Sequence, residues 1–340
     1  MIARYKIIPI FVPHKGCPND CIFCNQKKIS GQIEEMTTKK IPQIIETHLA
    51  TMEPNDKIEI AFYGGSFTAI DQSIQESFLV EAFRYMSDGR ISQIRVSTRP
   101  DSINEENLRM LWKYGVRTIE LGVQSLDDKV LRKSCRGHDA SCVVQASALI
   151  KHMGFVLGIQ TMTGLPGDTN KPCLETAEKV IRISPDIVRI YPVLVIKGTE
   201  LERQYRNGLY KPQSLEEAVE LCAQLLEMYE SNNIKVIRIG LQATDQIREG
   251  SGSDVVAGPV HPAFRQLVES KLMLIRIEAQ IKKQGLGGTA RLTIHTGSSN
   301  ISNVVGQNRY NVRYLQWQYA IGNIKVLASE KLSRELILSD

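Results

Sequence analysis

Short runs rich in β-branched residues alternate with amphipathic helical patterns over most of this chain of 340 residues. This alternation constrains the fold more than any other feature, because parallel strands need long crossover connections, which are usually helices. The predicted strands cover residues 5–12, 58–63, 93–98, 118–122, 155–162, 186–192 and 236–241. The predicted helices cover residues 37–51, 72–87, 103–114, 127–153 with a break at Gly137, 169–183 and 214–232. The sequence therefore predicts an α/β fold around a parallel sheet, which is either a flat doubly wound sheet or a partial barrel.

The strand–helix rhythm ends in a stretch rich in glycine and serine at residues 245–260. Beyond this stretch the pattern predicts a helix near 262–284, a strand near 290–295, a helix near 306–320 and a final strand. We therefore expect a core domain over residues 1–245 and a small C-terminal α+β appendage over residues 246–340.

The composition excludes several classes of protein. Hydrophobic residues make up 42% of the chain and charged residues 23%, which is typical of globular proteins and unlike disordered or fibrous ones. No apolar run reaches the ~18 residues that a membrane helix needs, and the first residues lack the pattern of a signal peptide. We therefore expect a cytoplasmic protein with no membrane partner. The formal charge of +5 is compatible with RNA binding but does not require it.

Three of the seven cysteines, Cys17, Cys21 and Cys24, lie close together after the first predicted strand. Their C-x3-C-x2-C spacing lies on a polar turn, where three thiolates can converge on one metal centre. Zinc needs a fourth ligand, for which His14 is near in sequence, but no second Cys-x2-Cys pair follows downstream. An iron–sulfur cluster normally takes four cysteines, so three would leave one iron open, and we favour this cluster over zinc. The remaining cysteines are expected to pack in the core: Cys135, Cys142, Cys173 and Cys222.

The aromatic residue Phe23 precedes the third cysteine, and this motif resembles the signature of the radical S-adenosylmethionine (SAM) superfamily. The resemblance implies an enzyme in which Cys17, Cys21 and Cys24 hold a [4Fe–4S] cluster whose open iron binds SAM. An electron from the cluster then cleaves SAM to methionine and a 5′-deoxyadenosyl radical, which abstracts hydrogen from a substrate. The resemblance also implies a partial (β/α)6 barrel and a reductant such as a flavodoxin or ferredoxin.

The ends of the later predicted strands carry small and polar residues in the order that this superfamily implies. Gly64 and Gly65 follow the second strand, where their lack of a side chain lets a ligand approach the backbone. Ser66 stands where an acidic residue often follows that glycine pair. In this superfamily the glycine pair contacts the amino group of SAM. The polar groups of Glu120, Gln124 and Ser125 suit a ribose diol or the carboxylate of SAM, and arginines suit that carboxylate. The expected cofactor-binding residues are Phe23, Gly64, Gly65, Ser66, Ser97, Arg99, Glu120, Gln124, Arg136, Gln160 and Tyr191.

Several segments are similar, more narrowly, to the radical-SAM half of the Elongator catalytic subunit. These segments are residues 97–101, 120–125, 136–138, 164–167, 189–192, 197–201 and 237–242, and the resemblance covers roughly residues 1–245. That family helps to modify wobble uridines in tRNA and carries a C-terminal acetyltransferase domain, for which about 95 residues leave no room. The resemblance implies hydrogen abstraction from a tRNA or RNA base, either in a different reaction carried out by a shortened relative or together with a separate partner subunit.

Two alternatives stay open. Residues 122–125, 136–138 and 164–167 also resemble oxygen-independent coproporphyrinogen oxidases, which implies a porphyrinogen substrate. The second alternative is a non-catalytic subunit that binds a cluster and SAM within an RNA-modifying complex. Production of 5′-deoxyadenosine separates the enzymes from the non-catalytic subunit.

Overall fold

The computed structural model describes residues 4–12, 21–25, 36–53, 55–241, 247–248, 250, 252–333 and 335–339. The chain divides into two compact units. Unit 1 comprises Met1–Ser214 and Tyr229–Val260, and unit 2 comprises Leu215–Met228 and His261–Asp340. The domain boundary expected after residue 245 stays a prediction.

Unit 1 is built on a parallel sheet. Its strands are β1 (Tyr5–Phe11), β2 (Lys57–Tyr63), β3 (Gln93–Thr98), β4 (Val116–Gln124), β5 (Val156–Thr163), β6 (Ile187–Pro192), β7 (Val195–Ile196), β8 (Lys235–Ile239) and β9 (Val255–Ala257). Seven of them form one sheet in the order β1-β2-β3-β4-β5-β6-β8, with every neighbouring pair parallel. This curled sheet confirms the predicted partial barrel. The short antiparallel pair β7–β9 was not predicted, because β9 lies in the glycine- and serine-rich stretch.

Helices connect the strands of the sheet. They are α1 (Lys40–Leu49), α2 (Gln72–Ser87), α3 (Glu105–Lys113), α4 (Asp128–Lys133), α5 (Ala140–His152), α6 (Asn170–Ile183), α7 (Glu200–Arg206) and α8 (Leu215–Ser231). The predicted break in the fourth helical stretch is confirmed, because Cys135 and Gly137 adopt the left-handed φ values of 52° and 80°. Sequence reasoning missed α7, whose N-terminus is capped by the hydroxyl of Thr199. Among the described residues, no helix is both long and apolar enough to cross a membrane.

The two faces of the sheet differ in chemistry, because successive side chains of a strand point to opposite faces. One face is apolar: Ile94 is fully buried, and the ring of Phe62 lies 6.4 Å from that of Phe78 on α2. The other face carries charged residues such as Glu59 and Arg95, which alternate with the apolar positions and are also buried. The inner face of the partial barrel is therefore polar.

Unit 2 contains the predicted α+β appendage. Its elements beyond α8 are α9 (Phe264–Gln284), β10 (Arg291–Thr296), α10 (Ile301–Val305), α11 (Tyr310–Gln318), β11 (Asn323–Ala328) and β12 (Ile337–Ser339). The three strands form a sheet in the order β11-β10-β12, with β10 parallel to β11 and antiparallel to β12. The predicted final strand is confirmed as β11.

The cysteines outside the close trio do not all lie in the core. Cys173 and Cys222 are buried, as expected, whereas Cys142 is half-buried. The expectation that Cys135 packs in the core is wrong, because this residue is exposed. Its left-handed backbone turns the chain between α4 and α5, so that Cys135 faces solvent while its neighbour Arg136 is buried.

Candidate functional site

The cysteine segment 21–25 docks onto loops that follow the barrel strands. The backbone N–H of Ile22 donates to the carbonyl of Ser134 at 3.3 Å, and the N–H of Leu201 donates to the carbonyl of Ile22 at 2.8 Å. Phe23 is buried in an apolar cluster with Leu165 and with residues that follow β6. The predicted ligand Cys17 lies outside the described residues, whereas Cys21 and Cys24 lie within this docked segment.

Arg136 connects the cysteine segment to the end of β4. Its Nη1 atom donates to Cys21 Sγ at 3.3 Å, and its Nη2 atom donates to the carbonyl of Gly122. A Cβ atom on Gly122 would lie 2.8 Å from Arg136 Nη2, so only glycine leaves room for this guanidinium. The Nε atom of Arg136 is buried and has no hydrogen-bond partner among the described residues. Arg136 therefore brings a buried positive charge directly to a thiol of the trio.

Arg99 and Ser66 support this region from β3 and from the loop after β2. The Arg99 guanidinium forms two hydrogen bonds with Asp101, at 2.9 and 2.8 Å, and donates to the backbone carbonyl of Arg136 at 2.8 Å. The hydroxyl of Ser66 accepts from the N–H of Arg99 at 3.2 Å and lies 2.9 Å from Thr98 Oγ1. In this arrangement both side chains hold neighbouring chain segments in place.

Gln124 and Gln160 lie next to each other at the ends of β4 and β5. The Nε2 atom of Gln160 donates to Gln124 Oε1 at 3.2 Å. Gln124 has a φ of 72°, unusual for a residue other than glycine, and lies at a register shift between β4 and β5. Such a bulge re-aims side chains at the end of a strand. The two predicted SAM contacts are thus brought together beside Gly122, the residue that accepts from Arg136.

A chain of buried ion pairs crosses the inner face of the barrel. Arg95 donates to Glu59 Oε2 at 2.8 Å and to Glu120 Oε1 at 2.6 Å. Arg189 donates to both oxygens of Glu120, one of them at 3.0 Å. Glu120 was predicted to hold the ribose of SAM, and both of its oxygens are already engaged by arginines. A ribose at this position would have to compete with two guanidinium groups.

Tyrosines surround this ion-pair chain. Arg189 donates to Tyr63 Oη at 2.9 Å and to Tyr191 Oη at 3.3 Å, and Tyr5 donates to Glu59. Burial, with a contribution from the charge of Glu120, raises the pKa of Tyr63 to about 12. Burial lowers the pKa of Arg189, but the charge of Glu120, the nearby Tyr191 and Tyr63 and the hydrogen bond to Glu120 together raise this pKa above its usual value. Tyr63 therefore stays a neutral hydroxyl beside a paired guanidinium.

His138 and Asp168 are titratable groups beside the site. Burial, followed by the nearby charge of Arg136, lowers the pKa of His138 to about 4, so its imidazole is neutral at pH 7. Its Nε2 atom is buried and has no hydrogen-bond partner among the described residues. Burial raises the pKa of Asp168 to about 6, while Cys173 Sγ lies 2.8 Å from its Oδ2 atom.

The remaining predicted residues occupy the expected strand ends. Gly64 has a φ of 94° in the turn that follows β2, and Gly65 is half-buried beside it. Ser97 is half-buried on β3, in register with Glu120 on β4. Tyr191 is buried on β6. Their roles toward SAM stay predictions.

Family comparison identifies the chain. The family model described as the radical SAM superfamily matches residues 11–180, half of the 340 residues, and the model of the radical SAM C-terminal domain matches residues 185–273. The chain belongs to the radical SAM superfamily. This radical SAM protein is an enzyme, and membership of the superfamily implies a [4Fe–4S] cluster and SAM.

Several relatives are similar to this radical SAM enzyme over part of their length. The tRNA uridine(34) acetyltransferase of Methanocaldococcus infernus is 27% identical over 266 residues, which cover 65% of this chain and 49% of that protein. Elongator complex protein 3 of Saccharomyces cerevisiae is 30% identical over 194 residues, which cover 51% of this chain and 35% of that protein. The structure of the archaeal Elp3 of M. infernus with an N-terminal deletion has the same fold, with a TM-score of 0.63 at 24% identity. That match covers 84% of this chain and 64% of the other. The chain spans about half the length of the archaeal acetyltransferases it matches.

The residues present fit the cluster that superfamily membership implies. Cys21 is buried and its sulfur receives a hydrogen bond from a guanidinium, the kind of contact that sulfur ligands of iron–sulfur clusters accept. Within the described part of the chain, no three His, Cys, Asp or Glu residues are grouped to hold a metal ion. That Cys17 completes the donor set with Cys21 and Cys24 stays a prediction.

Sequence reasoning missed the ion-pair chain on the inner face. Glu59 and Arg95 each stand between buried apolar residues in a strand, and a charge at such a position signals a polar interior face. Arg189 on β6 follows the same pattern. This signal was available in the sequence, but the pairing of strands is needed to show which charges meet.

Proposed function

We propose that Cys17, Cys21 and Cys24 hold a [4Fe–4S] cluster at the carboxyl ends of the barrel strands and that SAM binds beside it. The observation that carries this proposal is the contact of Arg136 with both Cys21 Sγ and the carbonyl of Gly122. It supports a single site in which the cysteine segment and the end of β4 are neighbours. Parallel α/β folds bind ligands at the carboxyl ends of their strands, which is where this contact lies.

The cluster, once reduced by a donor such as a flavodoxin or ferredoxin, supplies the electron that cleaves SAM to methionine and a 5′-deoxyadenosyl radical. Arg136 is suited to hold the carboxylate of SAM, because its Nε atom is buried and unpartnered among the described residues. Gln124 and Gln160 offer amide donors and acceptors beside it for the polar groups of the nucleoside. Their neighbouring positions would orient SAM relative to the substrate.

We further propose that the substrate is a base of tRNA or another RNA, from which the radical removes a hydrogen atom to give 5′-deoxyadenosine. The support is the similarity to proteins named tRNA uridine(34) acetyltransferase and Elongator complex protein 3. The polar inner face suits a nucleobase, because Arg189 and Tyr191 can form hydrogen bonds with base edges. One of these relatives is named as a protein of a complex, and we propose that a separate partner subunit takes part in the modification.

Anaerobic reconstitution with iron and sulfide tests the first step. We expect about four irons per chain, and with dithionite and SAM we expect 5′-deoxyadenosine. Cys21→Ala and Cys24→Ala should each abolish both results, whereas Cys222→Ala, which removes a buried thiol of α8, should leave both in place. An intact cluster in the Cys21→Ala chain would contradict the proposal. A cluster-loaded chain that cleaves no SAM would favour the non-catalytic subunit.

A labelling experiment tests whether RNA is the substrate. The enzyme is incubated with unlabelled SAM and with tRNA that carries deuterium on the carbon atoms of its uridines. We expect 5′-deoxyadenosine that contains deuterium, detected by mass spectrometry. If the 5′-deoxyadenosine formed with this tRNA contains no deuterium, and if coproporphyrinogen binds tightly, the proposed RNA substrate is wrong and a porphyrinogen is the substrate.

A further inference from the structure

One face of helix α11 in unit 2 carries an aromatic and basic surface. We call it the α11 face and define it as Arg309, Tyr310, Arg313, Tyr314 and Trp317. Arg313, Tyr314 and Trp317 lie three, four and seven positions after Tyr310, a spacing that places these four residues on one side of a helix. Arg309 directly precedes the first helical residue.

On the α11 face the rings of Tyr310 and Trp317 are exposed and that of Tyr314 is half-buried, while the opposite side of the helix is anchored. Trp317 is 78% exposed and Tyr310 is 61% exposed, among the highest values for large apolar side chains in the described residues. The rings of Tyr310 and Tyr314 stack, with centroids 6.2 Å apart and planes 16° apart. Val312 and Leu315 are buried on the other side. The helix therefore folds onto its unit without these rings, which leaves them available to a ligand.

The part of the chain that contains this face carries an excess of positive charge. Residues 279–329 contain no Asp or Glu and include six basic residues, Lys282, Lys283, Arg291, Arg309, Arg313 and Lys325. Neither Arg309 nor Arg313 forms an ion pair with a carboxylate among the described residues. The nearest carboxylate contact is Glu278, which accepts from Tyr314 Oη at 3.3 Å. The rings are thus flanked by uncompensated arginines.

We propose that the α11 face binds single-stranded RNA. Exposed aromatic rings stack on unpaired bases, and arginines beside them pair with the phosphates of the same strand. A protein partner could bind through the apolar rings alone and would not require the positive charge. The excess of positive charge over 51 residues is instead complementary to a polyanion such as RNA. The face lies outside both segments matched by the family models. This inference rests on the proposed function, because it takes RNA as the ligand. It adds a second RNA-binding surface, which is distant in sequence from the cysteine trio.

Fluorescence anisotropy with a labelled 12-nucleotide oligouridylate tests this proposal on the full chain without SAM. Trp317→Ala should weaken binding at least about fivefold, because stacking of one base contributes about 1–3 kcal/mol. The double variant Arg309→Gln/Arg313→Gln should reduce the slope of log K against log salt by about 1.4, since each phosphate contact on a single strand contributes about 0.7. Thermal unfolding of each variant checks that the fold is kept.

Two matched controls isolate the α11 face. Arg84→Gln/Arg109→Gln removes the same charge from exposed arginines of unit 1, and Leu209→Ala removes an apolar side chain that is 75% exposed. Both controls should bind the oligonucleotide as the unchanged chain does. Equal weakening in the charge control and in the Arg309/Arg313 variant would overturn the proposal, because it would show that only total charge matters.

A second measurement does not depend on a destabilising variant. The chain has two tryptophans, so Trp112→Phe leaves Trp317 as the sole indole. Quenching of its fluorescence on addition of oligouridylate supports stacking on Trp317, and unchanged fluorescence at saturating oligonucleotide overturns it. The proposal would also be overturned if the Trp317→Ala variant bound RNA with unchanged affinity but no longer self-associated in sedimentation. The α11 face would then be an interface between copies of this chain.

The outcomes separate this proposal from the proposed function. If the α11 variants bind RNA normally while deuterium still passes from tRNA to 5′-deoxyadenosine, only the α11 face is refuted. If the α11 variants lose affinity for oligouridylate while no RNA yields deuterated 5′-deoxyadenosine, the face binds RNA and the proposed substrate is wrong.

Discussion

Arg136 Nη1 lies 3.3 Å from Cys21 Sγ, although 115 residues separate the two in sequence. The contact joins the turn between α4 and α5 to the cysteine segment, and it places a buried cation beside a predicted cluster ligand. Hydrogen bonds to sulfur and the charge around a cluster both adjust its reduction potential.

Arg136→Gln should therefore shift the reduction potential of the reconstituted cluster to a more negative value. Loss of a positive charge makes addition of an electron less favourable, and loss of the hydrogen bond to sulfur acts in the same direction. A redox titration followed by electron paramagnetic resonance measures the shift. Arg136→Lys, which keeps the charge, should recover part of it, and equal potentials in all three chains would contradict the assignment of Cys21 as a ligand.

The ion-pair chain of the inner face predicts a large loss of stability when Glu120 is neutralised. Glu120→Gln leaves the guanidiniums of Arg95 and Arg189 buried without their shared carboxylate. Removing one partner of a buried pair costs about 3–5 kcal/mol, and we expect a loss of this order in the free energy of unfolding in urea. The matched control Glu105→Gln breaks the exposed pair with Arg109 and should cost less than about 1 kcal/mol. A small effect of Glu120→Gln would show that water reaches both arginines.

Gly158 on β5 tests how tightly Glu120 is held. A Cβ atom at this position would lie 2.8 Å from Glu120 Cγ and 3.1 Å from Ile187 Cγ1. Because two arginines fix Glu120, its side chain cannot move aside, and Gly158→Ala should lower the free energy of unfolding by about 1–3 kcal/mol.

The control for this overlap is Gly287→Ala in unit 2. There the nearest atom to an added Cβ is Tyr319 O at 3.7 Å, which is ordinary contact, so the free energy of unfolding should change little. Equal effects at the two glycines would mean that overlap with Glu120 does not determine the result at Gly158.

The sequence was sufficient to predict the sheet but not its internal contacts. β-Branched runs such as the one in β3 predicted all seven strands of the sheet, because local pattern and burial agree there. The pair β7–β9 and the helix α7 were missed, since two-residue and seven-residue elements carry too little periodic signal. Sequence periodicity predicts a helix or strand when the element is long. Short elements cannot be predicted in this way, because tertiary contacts determine whether they form.

The sequence predicted which residues belong to the candidate site better than it predicted what each of them contacts there. The cysteine spacing and the strand-end glutamines identified the region, and the structure brings Gln124 and Gln160 together. The engagement of Glu120 by Arg95 and Arg189 could not be predicted, because it depends on strands that are distant in sequence meeting in register. Likewise, the burial of Arg136 depends on the left-handed turn at Cys135.

His138 predicts a pH dependence of stability with a defined sign. Burial lowers its pKa from 6.5 to about 4 in the folded chain, so between these values the unfolded chain binds more protons. Stability contributed by neutral His138 is therefore complete above pH 6.5 and is lost as the pH falls toward 4. Asp168, whose pKa burial raises to about 6, acts in the opposite direction over an overlapping range.

Comparison with His138→Gln isolates the histidine, because the contribution of Asp168 is the same in both chains and cancels in the difference. Between pH 7.5 and 4.5 the unchanged chain should lose about 1–2 kcal/mol more in its free energy of unfolding than His138→Gln does. Urea unfolding at each pH measures the difference. Parallel pH profiles would show that His138 titrates normally in the folded chain, and hence that water reaches the Nε2 atom beside Arg136.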